Sequence, residues 1–106
     1  AAVPPAVREV LGLWFWGNSA LELRWHNERL HLRSLARHRL TDGFEVGTER
    51  IVGTWGYHQG ETLRVHRRED GTVSHLECAT FVYTRAPYDP AEPVPGGHPP
   101  EFTSVR

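Results

Sequence analysis

Seven histidines, four serines, a single cysteine and no lysine set the chemistry open to this 106-residue chain. An S-x-x-K serine site is impossible without lysine. Gly17-Asn18-Ser19-Ala20-Leu21 begins like a G-x-S-x-G nucleophile elbow but ends in leucine. It also precedes a strand-like run, whereas the elbow is a strand-to-helix turn. His26, His31, His66 and His75 fall on outward faces of the expected strands. His66 and His75 would face each other across a hairpin and could supply two imidazoles to a metal, but a metal site takes three or four ligands. No H-x-H or H-E-x-x-H spacing occurs. These histidines therefore read as solvated, and no metal or other cofactor is expected. Cys78 alone permits no internal disulfide and reads as a small core residue.

One constellation could line a pocket. Glu61 shares strand parity with Leu63 and Val65, so it can point inward, and Tyr57 and Gln59 share that parity across Gly60. A carboxyl buried there would have its pKa raised by desolvation. The plainer alternative is a solvated Glu61 at a strand mouth. If the domain is a barrel with a cavity, the expected lining is Trp25, Trp55, Tyr57 and Glu61.

The elements that would position these groups are strands. Ser19–His26 alternates, with Leu21, Leu23 and Trp25 on one face and Glu22, Arg24 and His26 on the other. Arg29–Leu35 alternates likewise. A two-residue turn at Asn27-Glu28 pairs Trp25 with Leu30, Leu23 with Leu32 and Glu22 with Arg33; Glu suits such a turn poorly, which leaves a longer loop open. Asp70-Gly71 marks a second hairpin, with Val65 facing Leu76, Leu63 facing Cys78, Arg64 facing Glu77 and His66 facing His75. Shorter runs, Leu13–Trp16, Phe44–Val46, Arg50–Trp55 and Thr80–Thr84, complete about eight strands, with a kink near Ala79. The first run is apolar on both faces, Trp14 and Trp16 on one and Phe15 on the other. It is either covered on both sides or meets a partner. The fold class is all-β: an antiparallel meander closing into a lipocalin-like barrel or a strongly curled sheet.

Residues 1–10 read as a linker or a short helical turn after Pro4-Pro5, residues 11–85 as the barrel-like domain, and residues 86–106 as an irregular tail holding six of the eight prolines. All twelve basic residues are arginine, against thirteen acidic ones, a net charge of -1. That balance argues against a nucleic-acid or anionic-membrane partner. No apolar run approaches the roughly 20 residues of a membrane helix, and the first residues lack the basic start and apolar centre of a signal peptide. The compartment stays open, with the cytoplasm preferred. The lack of Met, at position 1 and elsewhere, suggests a piece of a longer chain.

Several runs resemble the C-terminal accessory domain of actinobacterial serine hydrolases of the β-lactamase, penicillin-binding-like type. They are Gly60–Val65, Asp70–Leu76, Ala79–Arg85, Pro87-Tyr88-Asp89-Pro90 and Pro95-Gly96-Gly97, with Leu13–Gly17 and Gly53–Tyr57 before them. The resemblance is close over residues 56–97 and loose over 26–50. It implies a catalytic domain elsewhere in the parent chain, carrying the serine and lysine absent here, and it transfers no functional residue. The leading expectation is thus a non-catalytic domain that packs against or positions a serine hydrolase domain. The alternative is a lipocalin-like module for a small apolar ligand.

Overall fold

The computed structural model describes residues 2–91. A single helical turn, α1 (Pro5–Arg8), is followed by eight strands: β1 (Gly12–Trp16), β2 (Ser19–His26), β3 (Arg29–Ser34), β4 (Arg39–Val46), β5 (Ile51–Gly56), β6 (Thr62–Arg67), β7 (Val73–Cys78) and β8 (Phe81–Tyr83). Each strand pairs antiparallel with the next in one sheet. The first and last meet at Phe15 and Thr84, whose amides exchange hydrogen bonds of 2.7 and 2.9 Å. The meander thereby becomes a nearly closed barrel, as its patterning predicts. Among the described residues no helix is long and apolar enough to cross a membrane.

The turns show why the registers hold. Asn27 and Glu28 both adopt positive φ, 52° and 59°, the geometry a tight two-residue hairpin needs. Trp25 duly pairs with Leu30, Leu23 with Leu32 and Glu22 with Arg33. At the second hairpin the pairs Leu63–Cys78, Arg64–Glu77, Val65–Leu76 and His66–His75 all form. Its loop is longer than Asp70-Gly71 alone: the Arg68 amide bonds Thr72 O at 2.8 Å, and a bulge leaves Ser74 without a residue opposite. The kink near Ala79 is a third turn, Ala79-Thr80, with Ala79 at φ 54°. β4 starts at Arg39, five residues before the expected Phe44, because a bulge at Thr41 interrupts its alternation.

The inward positions form the core: Trp14, Leu23, Leu30, Leu32, Phe44, Leu63, Leu76, Cys78 and Tyr83. Val7 and Val10 are fully buried in the same cluster. The segment before β1 is therefore part of the domain, and each of these valines contributes roughly 1.5–3 kcal/mol by burial. Trp14 Nε1 donates to Val10 O at 2.8 Å. The Arg85 guanidinium lies 3.7 Å from the Trp14 ring centroid and donates to Leu13 O, Glu9 O and Leu11 O. After β8 the chain is irregular, yet it docks on the barrel: the Tyr88 hydroxyl donates to Val82 O at 2.6 Å and the Tyr88 amide to Gly17 O at 3.1 Å. The rest of the expected tail, including Pro95-Gly96-Gly97, lies outside the described residues.

One face departs from expectation. His75, expected in solvent, is buried, as are Ser74 and Glu77 on the same strand. The His75 ring lies flat on that of His66, centroids 4.5 Å apart and planes 6° from parallel. Ser74 Oγ is 2.9 Å from His75 Nδ1, and Glu77 pairs with His66 Nε2 at 2.8 Å.

Candidate ligand-binding site

In an up-and-down meander the β1–β2, β3–β4, β5–β6 and β7–β8 connections lie at one end of the barrel, and a pocket opens there. β5 and β6 pair at only two positions, Ile51–Leu63 and Val52–Thr62, because residues 57–61 leave the ladder as a loop that turns His58 inward. Glycine makes this possible. A Cβ on Gly53 would stand 1.8 Å from His58 O, and Gly56 adopts φ +93° where a Cβ would meet Thr41 O at 2.1 Å. The loop is then tied down by backbone bonds, Gly53 N to Glu61 O and Gly60 N to Gly53 O, both 2.8 Å.

This loop carries His58 into the barrel, where 1% of the residue stays exposed. Its ring stands edge-on to Phe81, centroids 5.0 Å apart, and packs beside Phe44. The His58 amide donates to Asp42 Oδ1 at 2.8 Å, and the Thr41 hydroxyl donates to Asp42 Oδ2 at 2.8 Å. The fully buried Asp42 carboxylate thus has a donor on each oxygen, which is what keeps a buried polar group affordable. His58 Nε2 lies 2.6 Å from the Tyr83 hydroxyl and Nδ1 lies 3.1 Å from Glu61 Oε1. Glu61, His58 and Tyr83 form one chain of hydrogen bonds from the surface to the interior. Burial, ahead of the nearby Asp42 charge, pushes the Tyr83 phenol well above its ordinary range, so it stays protonated.

The pocket above this chain has a volume of about 320 Å³, at the small end of the ~300–1,000 Å³ usual for ligand sites. Trp16, Leu21, Leu32 and Phe81 form apolar walls; Asp42, His58 and Tyr83 close the inner end; Tyr57, Arg37 and Ser34 stand toward the mouth. Trp16 and Phe81 rings are in contact, centroids 5.1 Å apart.

Of the four expected lining residues only Tyr57 lines this pocket. Tyr57 is at the rim, 70% exposed, and Glu61 holds His58 from outside, with 41% of its side chain exposed. Trp25 and Trp55 are not in the lining. Trp25 sits beside the β2–β3 turn, at the opposite end of the barrel, against Asn27 and Glu28. Trp55 is turned out by a bulge at Thr54, which reverses the parity that would have aligned it with Ile51 and Gly53. It lies over Gly43, where a Cβ would be 2.2 Å from its Nε1. His66 and His75 stack rather than converge on a common point. The described residues that do bring three metal-ligating atoms together are His58, Glu61 and Cys78, within 4.8 Å of one another. His58 is not among the residues that strand alternation singles out. Its signal was the run of Gly53, Gly56 and Gly60 around it, since glycine in a strand pattern marks close backbone approach.

The strand order and its near closure place the protein among small all-β domains built as antiparallel barrels. The chain belongs to the family described as Domain of unknown function (DUF7586), whose model matches residues 3–85. That span includes α1 and all eight strands. No curated protein matches the chain.

Proposed function

We propose that this domain binds a small, largely apolar molecule carrying one polar group, through the pocket at the β1–β2 end of the barrel. The carrying observation is the composition of that pocket: aromatic and aliphatic walls around a few buried polar groups, the usual make-up of a small-ligand site. The apolar part would lie between Trp16, Leu21 and Phe81, and the polar group would meet Tyr83 and His58. The test is titration with the apolar fluorophore N-phenyl-1-naphthylamine. Saturable binding is expected, and Ser34→Trp, which fills the mouth, should lower the affinity at least tenfold while thermal unfolding stays cooperative. Binding that Ser34→Trp leaves unchanged would refute the pocket assignment.

A second reading concerns the parent protein and is compatible with the first. The domain would be a non-catalytic companion of a serine hydrolase domain of the β-lactamase-like type. The resemblance of its motifs supports this, as does the position of Ser74. That serine's Oγ does meet a histidine, but the residue is 5% exposed. Exposed Trp16 and Tyr57 beside the pocket mouth offer an apolar rim for such a neighbour. The isolated chain should not hydrolyse nitrocefin or p-nitrophenyl acetate; turnover abolished by a serine substitution in this chain would overturn the reading.

A further inference from the structure

We infer that His58, Glu61 and Cys78 form a binding site for a borderline-soft divalent metal ion, zinc being the best match. One imidazole, one carboxylate and one thiol come from two separate parts of the chain, the inward loop and the end of β7, yet their ligand atoms lie within 4.8 Å of one another. Tetrahedral zinc with Zn–N and Zn–O near 2.0–2.1 Å and Zn–S near 2.3 Å separates its ligand atoms by about 3.3–3.6 Å. His58 Nδ1 and Glu61 Oε1 stand at 3.1 Å already.

The surroundings suit an ion. His58 is held by its second nitrogen, Nε2, against the Tyr83 hydroxyl, and by its amide against Asp42. Metal-ligating histidines ordinarily use their other nitrogen in this way. Cys78 is fully buried while Glu61 is partly exposed, so an ion can enter from the Glu61 side and keep a water as fourth ligand. Thiolate, imidazole and carboxylate together select zinc or cobalt over calcium or magnesium. On binding, the thiol proton leaves to solvent, and the ion replaces the direct contact between His58 and Glu61.

A consequence follows for Tyr83. Without an ion, Nδ1–H donates to Glu61, so Nε2 accepts the phenol proton. With an ion on Nδ1, Nε2–H donates to the Tyr83 oxygen, and the phenol proton can turn toward the pocket. The metal site itself does not depend on the pocket's being a ligand site.

The experiment is titration of Co²⁺ into the full chain, followed by absorption. Cys78 is the single cysteine of the chain, so any thiolate-to-cobalt charge-transfer band reports this residue. One equivalent should produce that band with the visible bands of a tetrahedral ion, and Zn²⁺ should abolish both. Glu61→Gln should weaken binding at least tenfold, and Tyr83→Phe by roughly 10–100-fold, as for outer-shell partners elsewhere. His66→Gln should change nothing. Far-UV circular dichroism verifies that each variant is folded. Absence of a charge-transfer band from the folded wild-type chain overturns the site, and so does a band that Glu61→Gln leaves at full affinity.

Discussion

The Tyr83 hydroxyl meets His58 Nε2 at 2.6 Å inside the barrel, 25 residues away along the chain. That bond links β8 to the loop that replaces most of the β5–β6 ladder, so it braces the barrel beside a seam that pairs at only two positions. Tyr83→Phe keeps the ring's packing and removes the hydroxyl, leaving the buried Nε2 without this partner. Stability should fall by about 1–3 kcal/mol, read from the midpoint of urea unfolding. An unchanged midpoint would mean the bond contributes nothing net.

The loop's entry depends on Gly53 for space and on Gly60 for conformation, and the two can be separated. At Gly53 an added methyl meets the His58 carbonyl, which is backbone and fixed by its neighbours. Gly53→Ala should cost at least about 3 kcal/mol, the upper range for overpacking, and expose His58 to hydrogen exchange. At Gly60, with φ +81°, nothing lies within 4 Å of the added methyl. Gly60→Ala should cost only the left-handed strain, about 1–2 kcal/mol. Equal losses at the two positions would contradict this division.

Much of the barrel was legible in the sequence, for one physical reason: strands with one buried face have a period of two, and a slip of one residue would expose the whole apolar set. Asn27-Glu28 and the region of Asp70-Gly71 could thus be paired correctly, although Glu28 is a poor residue for positive φ. The failures cluster where bulges break the period. Thr54 turned Trp55 outward, and Thr41 hid the start of β4. His75 was misplaced for another reason: alternation tells which side of a sheet a residue faces, not whether that side is covered. The site was legible only in part. Tyr57 and Glu61 could be picked out as polar and aromatic groups near a glycine, but His58 enters the barrel through a loop, where no periodicity applies.

Arg85 ties the N-terminal segment to the barrel, stacking on Trp14 and donating to the carbonyls of Glu9, Leu11 and Leu13. A planar guanidinium reaches several acceptors at once, which a lysine ammonium on its flexible stem does poorly. Arg85→Lys should destabilise the fold by about 0.5–1.5 kcal/mol. The local effect should be larger than the global one: limited proteolysis should cut sooner between α1 and β1, while the core amides remain protected. Uniform loss of protection across the barrel would contradict this local role.

Alkali should unfold the domain through its buried acids. The Cys78 thiol is pushed up from 9.0 to about 12, by burial first and then by neighbouring carboxylates, and burial raises the Tyr83 phenol as well. Unfolded, both titrate at ordinary values. Above about pH 9 the unfolded chain therefore releases a cysteine proton that the folded chain keeps, and from about pH 10 a tyrosine proton too. The folded state then binds more protons than the unfolded one, so stability declines as pH rises. The contribution is complete below the unfolded values and is lost as pH climbs toward the folded ones. The urea midpoint should be level around neutrality and fall from about pH 9 upward. Cys78→Ala should remove the earlier part of the fall and leave the tyrosine part, while a midpoint that holds steady through about pH 11 would show that neither group is buried as its neutral acid.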